Sequence, residues 1–186
     1  MWKAFALFAA AMTLSLIPPQ AARAQGACPQ CDLPPGCRGN GNQNGNGNSN
    51  RNCERLEIEI QTDIDFGRLV LVGDGVGRVL IDLESGSKIV SGELNDLGGM
   101  AVQGEALITG AAGEVVNVMI PSRVTMIDPA GGEAELRDFD TDLSALPVLD
   151  SNGRLTFRFT ATLFTDAATA AGGNLRGRIP ISVQYD

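Results

Sequence analysis

The sequence predicts an all-β domain, an antiparallel β-sandwich, on three observations. Apolar and polar side chains alternate with period two in run after run beyond residue 53, turn-forming Gly, Asn, Asp and Ser clusters separate those runs, and no stretch after the first 24 residues carries convincing helical periodicity. Alternation of this kind places one face of each strand in a core and the other in water.

The chain opens with the features of an export leader over 1–24. Lys3 supplies a positive start, an apolar run covers 4–17, and Ala22-Arg23-Ala24 forms a small-x-small cleavage site. The run ends at Pro18-Pro19 and is too short for a permanent bilayer span, and no later stretch approaches the roughly 20 apolar residues a span needs. The expectation is an exported protein of the periplasm, cell surface or extracellular space, with no transmembrane span in the mature chain. Cys28 invites a lipidation reading, but Gln25, Gly26 and Ala27 separate it from the apolar run, which disfavours that chemistry.

Residues 25–53 form a different kind of segment. They contain Cys28, Cys31, Cys37 and Cys53, and four cysteines in an exported chain favour two structural disulfides, with three pairings open. The Cys28-Pro-Gln-Cys31 spacing matches a redox pair, yet no strand-helix pattern surrounds it; a four-thiolate zinc site would want a second close pair, which is missing. Asn stands at every even position from Asn40 to Asn52 among Gly, Gln, Ser and Arg, so this tract reads as a disordered spacer.

From 54 to 186 the pattern is that of one β-domain of common size. Leu56, Ile58 and Ile60 alternate with Glu57, Glu59 and Gln61; the runs 79–84 and 115–120 behave alike. The clearest run places Leu155, Phe157, Phe159, Ala161 and Leu163 on one face and Thr156, Arg158, Thr160 and Thr162 on the other. Turn signals fall at Gly73-Asp74-Gly75, Ser85-Gly86-Ser87, Gly98-Gly99, Gly110, Gly131-Gly132, Ser151-Asn152-Gly153 and Gly172-Gly173. The last run sets Leu175, Ile179, Ile181, Val183 and Tyr185 on one face, one residue short of the end of the sequence.

Charge and composition narrow the function. Without Lys3 and Arg23 the chain keeps 12 basic against 22 acidic side chains, which argues against nucleic acid as a partner. There is no histidine, so a Ser/His/Asp triad and the common histidine metal sites are absent. Ser85-Gly86-Ser87-Lys88 fits a Ser-x-x-Lys pattern, but that chemistry needs a helix and this segment reads as a turn. Gly73-Asp74-Gly75-Val76-Gly77 lacks the Gly-Lys-Ser/Thr of a phosphate loop and leads into a strand. Asp138, Asp140 and Asp142 are the best metal candidates: on an extended strand their carboxylates share one face and could converge on calcium. The twelve-residue calcium loop fails, however, with Leu143 where glycine belongs and Leu149 where the bidentate glutamate belongs. The expectation is a non-enzymatic domain with no catalytic residue and no cofactor, calcium being the one candidate ion.

Seven short elements then carry a family resemblance. They are Asp65-Phe66-Gly67, the Gly75-x-Gly77 stretch leading into Val79-Leu80-Ile81, Leu97-Gly98-Gly99, Thr109-Gly110 before a strand ending at Pro121, Gly131-Gly132 followed by Phe139, Ala161-Thr162-Leu163, and the terminal Gly177, Ile181, Val183 and Tyr185. In this order and spacing they resemble the bacterial exported domain of unknown function 4402 over 54–186. That resemblance implies an immunoglobulin-like, pilin-like sandwich with no assigned activity. The C-terminus also resembles subunits of chaperone/usher assembled fimbriae, in Gly173 fourteen residues from the end, the apolar face from Leu175 through Ile179 and Ile181 to Val183, and the penultimate Tyr185. It implies strand-pairing roles for those residues and, as partners, a periplasmic chaperone, an usher or like subunits. The run 56–66 alternates as a donor arm would, but reads first as the domain's own first strand. Two functions follow as expectations: an exported structural or adhesive surface domain of fimbrial type assembled by strand complementation, and a self-sufficient monomeric binding module, calcium-assisted or not.

Overall fold

The computed structural model describes residues 33–34, 53–127, 131–169 and 178–186. The leader, Cys28, Cys31, Cys37, the Asn/Gly tract, Gly173 and Leu175 lie outside the described residues.

All regular elements among the described residues are strands: β1 (Glu57–Thr62), β2 (Leu69–Leu71), β3 (Val76–Ile81), β4 (Lys88–Gly92), β5 (Leu94–Asp96), β6 (Gly104–Thr109), β7 (Val116–Met119), β8 (Arg123–Ile127), β9 (Glu133–Thr141), β10 (Arg154–Asp166) and β11 (Ser182–Tyr185). Their pairings are antiparallel throughout. Within these residues no helix is long and apolar enough to cross a membrane.

The thirteen-residue strand β10 organises the fold. Phe159 has Gly104 of β6 on one side and Thr141 of β9 on the other, whereas Leu163 has Val79 of β3 and Leu136 of β9. Strand β9 therefore follows one edge of β10, while β6 and then β3 share the opposite edge end to end. The large sheet runs β1-β6-β10-β3-β4, with β9 and β8 attached to β10, and the pairs β7–β11 and β2–β5 form two small sheets.

Each small sheet covers half of the large one. In the first half, Ala106 and Ile108 of β6 and Phe157 and Phe159 of β10 pack with Val116 of β7 and with Ile181 and Tyr185 at the C-terminus. In the second half, Val79 of β3, Val124 of β8, Leu136 of β9 and Leu163 of β10 pack with Leu94 of β5, flanked by Leu69 and Leu71 of β2. Burying each large apolar side chain contributes roughly 1.5–3 kcal/mol, so a sandwich follows from alternation on both layers.

Three local readings are corrected. The run 79–84 does not continue as strand past Ile81, because the Asp82 carboxylate accepts from the Ser85 N–H (2.7 Å) and hydroxyl (2.6 Å) and folds the chain into a turn. These bonds hold the Asp82 carboxyl below its ordinary pKa. Thr160, expected to face water, is buried at the handover from β6 to β3, and its hydroxyl donates to the Ile81 carbonyl (2.9 Å). Finally, 138–142 is not a regular extended strand. Between Asp140↔Thr160 and Arg137↔Thr162 two residues of β9 oppose one of β10, a β-bulge with Asp138 at φ 52°. The bulge shifts the alternation so that Phe139 packs inward after Ala134 and Leu136.

Candidate functional site

The terminal strand carries the residues that the sequence singles out. Ile181 and Tyr185 are buried, and Ile179 and Val183 pack half-buried on the first core. Regular pairing begins only at Ser182, because Pro180 has no N–H to contribute and the Ile181 N–H donates back to the Ile179 carbonyl (3.0 Å). One edge of β11 pairs with β7, from Ser182↔Met119 to Tyr185↔Val116. Among the described strands none pairs with its other edge, and likewise β1 pairs with β6 alone.

Tyr185 joins three distant parts of the domain. Its hydroxyl accepts from the Ala111 N–H (2.7 Å) and donates to the Glu54 carbonyl (2.9 Å), fastening the end of β11 to the approach to β1. Gly110 makes the room, since a Cβ there would run into this hydroxyl, Leu56 and Leu149. Burial pushes the Tyr185 phenol above its ordinary pKa despite the Ala111 hydrogen bond, and the charges of Glu54 and Glu114 push the same way. Tyr185 was legible as a tail marker; its socket at Gly110 was not.

The second half is closed by charge and turns. Asp65 Oδ1 accepts from the Gly67 N–H (2.7 Å), where φ is 70° and a side chain would be strained. The Arg68 N–H donates to the Gly98 carbonyl and the Leu97 N–H to the Arg68 carbonyl (both 2.8 Å), so Asp65-Phe66-Gly67 and Leu97-Gly98-Gly99 lie against each other. Lys88, with its side chain 8% exposed, reaches across to the Phe66 carbonyl (3.2 Å) and to Asp96 Oδ1 (2.6 Å). The Lys88 ammonium, with the Gly98 N–H, holds the Asp96 carboxyl below the ordinary carboxylate range. The sequence offered Lys88 only as part of a Ser-x-x-Lys pattern; it sits at the start of β4, beyond a turn, with Asp96 as its partner.

The three candidate aspartates are all exposed, and no trio of acidic, Cys or His side chains placed to hold a metal ion is brought together among the described residues. Asp142 is engaged by Arg158, accepting from its backbone N–H (2.7 Å) and Nε (2.9 Å). Asp140 Oδ1 accepts from the Thr141 N–H (2.9 Å). An open groove of about 440 Å³ is lined by Val118, Ile120, Pro121, Phe139, Thr141 and Leu143, together with the polar Ser122 and Asp138. Cys53, the only cysteine among the described residues, is exposed and is not free.

Gly177 apart, which lies outside the described residues, the elements that carry the family resemblance thus occupy turns, the tyrosine socket, the bulge and the core. No curated protein and no solved structure matches the chain significantly. The family described as Domain of unknown function (DUF4402) matches residues 56–185, and the chain belongs to that family.

Proposed function

We propose that the protein is an exported, non-enzymatic structural or adhesive domain of the periplasm, cell surface or extracellular space, of immunoglobulin-like, pilin-like type. In this reading the leader over 1–24 directs export, the cysteines of 25–53 form structural disulfides in an oxidising compartment, and the Asn/Gly tract spaces the domain from its attachment. Assembly proceeds by β-strand addition with like subunits, chaperoned and secreted as fimbrial subunits are.

The observation that carries the assembly reading is the pairing state of β1. Among the described strands it pairs with β6 alone, and Tyr185 holds the end of β11 beside the approach to it. An apolar core flanked by an edge of this kind is receptive to an added strand. A self-sufficient monomeric module is the second reading, favoured by the same Tyr185 clasp, which closes the domain on itself.

Electrophoresis of material recovered from the cell surface separates the two. A ladder of multiples that collapses to one band on boiling supports assembly by strand addition. A single band before and after boiling, with a monomer in solution, supports the module. Recovery of the mature protein from the cytoplasm alone contradicts both.

A further inference from the structure

We infer that the groove between β7 and β9 is a docking site for an extended, basic and apolar peptide segment, which adds as a strand to the outer edge of β9. The argument starts from hydrogen bonding. Strand β8 leaves β9 at the pair Arg123↔Arg137, while β10 follows the other edge of β9 as far as Thr141. The Asp142 N–H donates to the Arg158 carbonyl of β10 (3.2 Å), so Asp142 faces β10 and Thr141, by alternation, faces outward. The outward Thr141 N–H is met by the carboxylate of its own neighbour, Asp140.

The groove beside this edge fits an extended chain. Val118, Ile120, Pro121, Phe139 and Leu143 are half-buried around about 440 Å³, which accommodates alternate apolar side chains of a guest strand. Charge complementarity chooses the occupant. Asp142 is already neutralised by Arg158, but Asp138, which lines the groove, and Asp140, which by alternation with Phe139 and Thr141 lies on the other face of the same edge, are exposed with no cationic partner among the described residues. When a guest strand takes the Thr141 N–H, the Asp140 carboxylate is released to meet a lysine or arginine of that strand. An acidic segment would meet repulsion at both aspartates.

This inference deepens the adhesive reading and rests on it only for where the partner is met. The test uses the purified mature protein and three synthetic heptapeptides: Val/Lys alternating, Val/Glu alternating, and the Val/Lys peptide N-methylated at alternate amides. Saturable binding of the first alone, with amide shifts at Val118, Ile120, Phe139 and Thr141, is the expected result. Asp138→Asn with Asp140→Asn should weaken it about tenfold, and raised salt should weaken it further. Equal binding of the Lys and Glu peptides, undiminished binding of the N-methylated peptide, shifts confined to β1 or β11, or no binding at all would overturn the inference. Surface fractionation of cells decides the export reading independently of any peptide result.

Discussion

The two halves of the sandwich share β10 but are closed by different chemistry. The first half is rich in aromatic rings, with Phe157 and Phe159 side by side (ring centroids 6.1 Å apart), and is fastened by a buried phenol that ties Glu54, Ala111 and the C-terminal strand. The second half is built from smaller residues such as Ala134, Ala161 and Val79, and is fastened by the Lys88–Asp96 ion pair and the turns it grips. One fastening thus contributes while a phenol stays protonated, the other while a carboxylate stays ionised. The domain as a whole should therefore lose a different contribution at each end of the pH scale.

The largest expected effect breaks the comparison at its aromatic side. Phe159→Ala should destabilise the domain by about 3–5 kcal/mol, and Leu136→Ala in the other half by about 2–5 kcal/mol. Because β10 runs through both cores, urea unfolding of either variant should remain one transition, and a second transition would show the halves to be independent. Next in size is Tyr185→Phe, which keeps the ring but leaves the Ala111 N–H and the Glu54 carbonyl without this partner, a loss of about 1–3 kcal/mol. The phenol pKa is raised on folding, so its contribution is whole below the unfolded value near 10 and is lost as pH rises through the folded value. Thermal melts of Tyr185→Phe should therefore lose part of the wild-type decline at high pH.

A smaller effect sharpens the other side. The Asp96 carboxyl is depressed on folding, so its contribution is present above the unfolded value near 3.9 and is lost as pH falls through the folded value. Asp96→Asn should lower the melting temperature at neutral pH and flatten the acid decline, leaving the alkaline limb unchanged. The smallest effect concerns calcium. With Asp142 held by Arg158 and Asp140 capping Thr141, millimolar calcium should leave the melting temperature unmoved, and a clear rise would restore the three-aspartate site.

What was legible in the sequence follows from what local pattern can encode. The runs at β7 and β10 were readable because burial on one face imposes alternation, and β1 was readable as a strand although Ile60, expected inward with Leu56 and Ile58, is exposed beside a register shift. The described turns were readable from their glycines. The three-residue strands β2 and β5 were not, since they are too short to establish a period. Asp138, Asp140 and Asp142 misled because a bulge at Asp138 leaves the polar spacing intact in sequence while resetting which neighbour points inward. Thr160 is buried because of the handover between two partner strands, an event of topology. Tyr185 and Ala111 meet across 74 residues, and Lys88 reaches Phe66 across 22, separations that leave no periodic trace.

Tyr185 is the only tyrosine in the chain, so its ionisation can be read by itself in the ultraviolet absorbance of the folded protein. An alkaline titration followed at once by tyrosinate absorbance and β-sheet circular dichroism tests the clasp directly. Phenolate appearing above the ordinary value, in step with loss of the sheet signal, is the predicted result. Ionisation at the ordinary value with the sheet signal intact would contradict a buried phenol holding the two ends of the domain together.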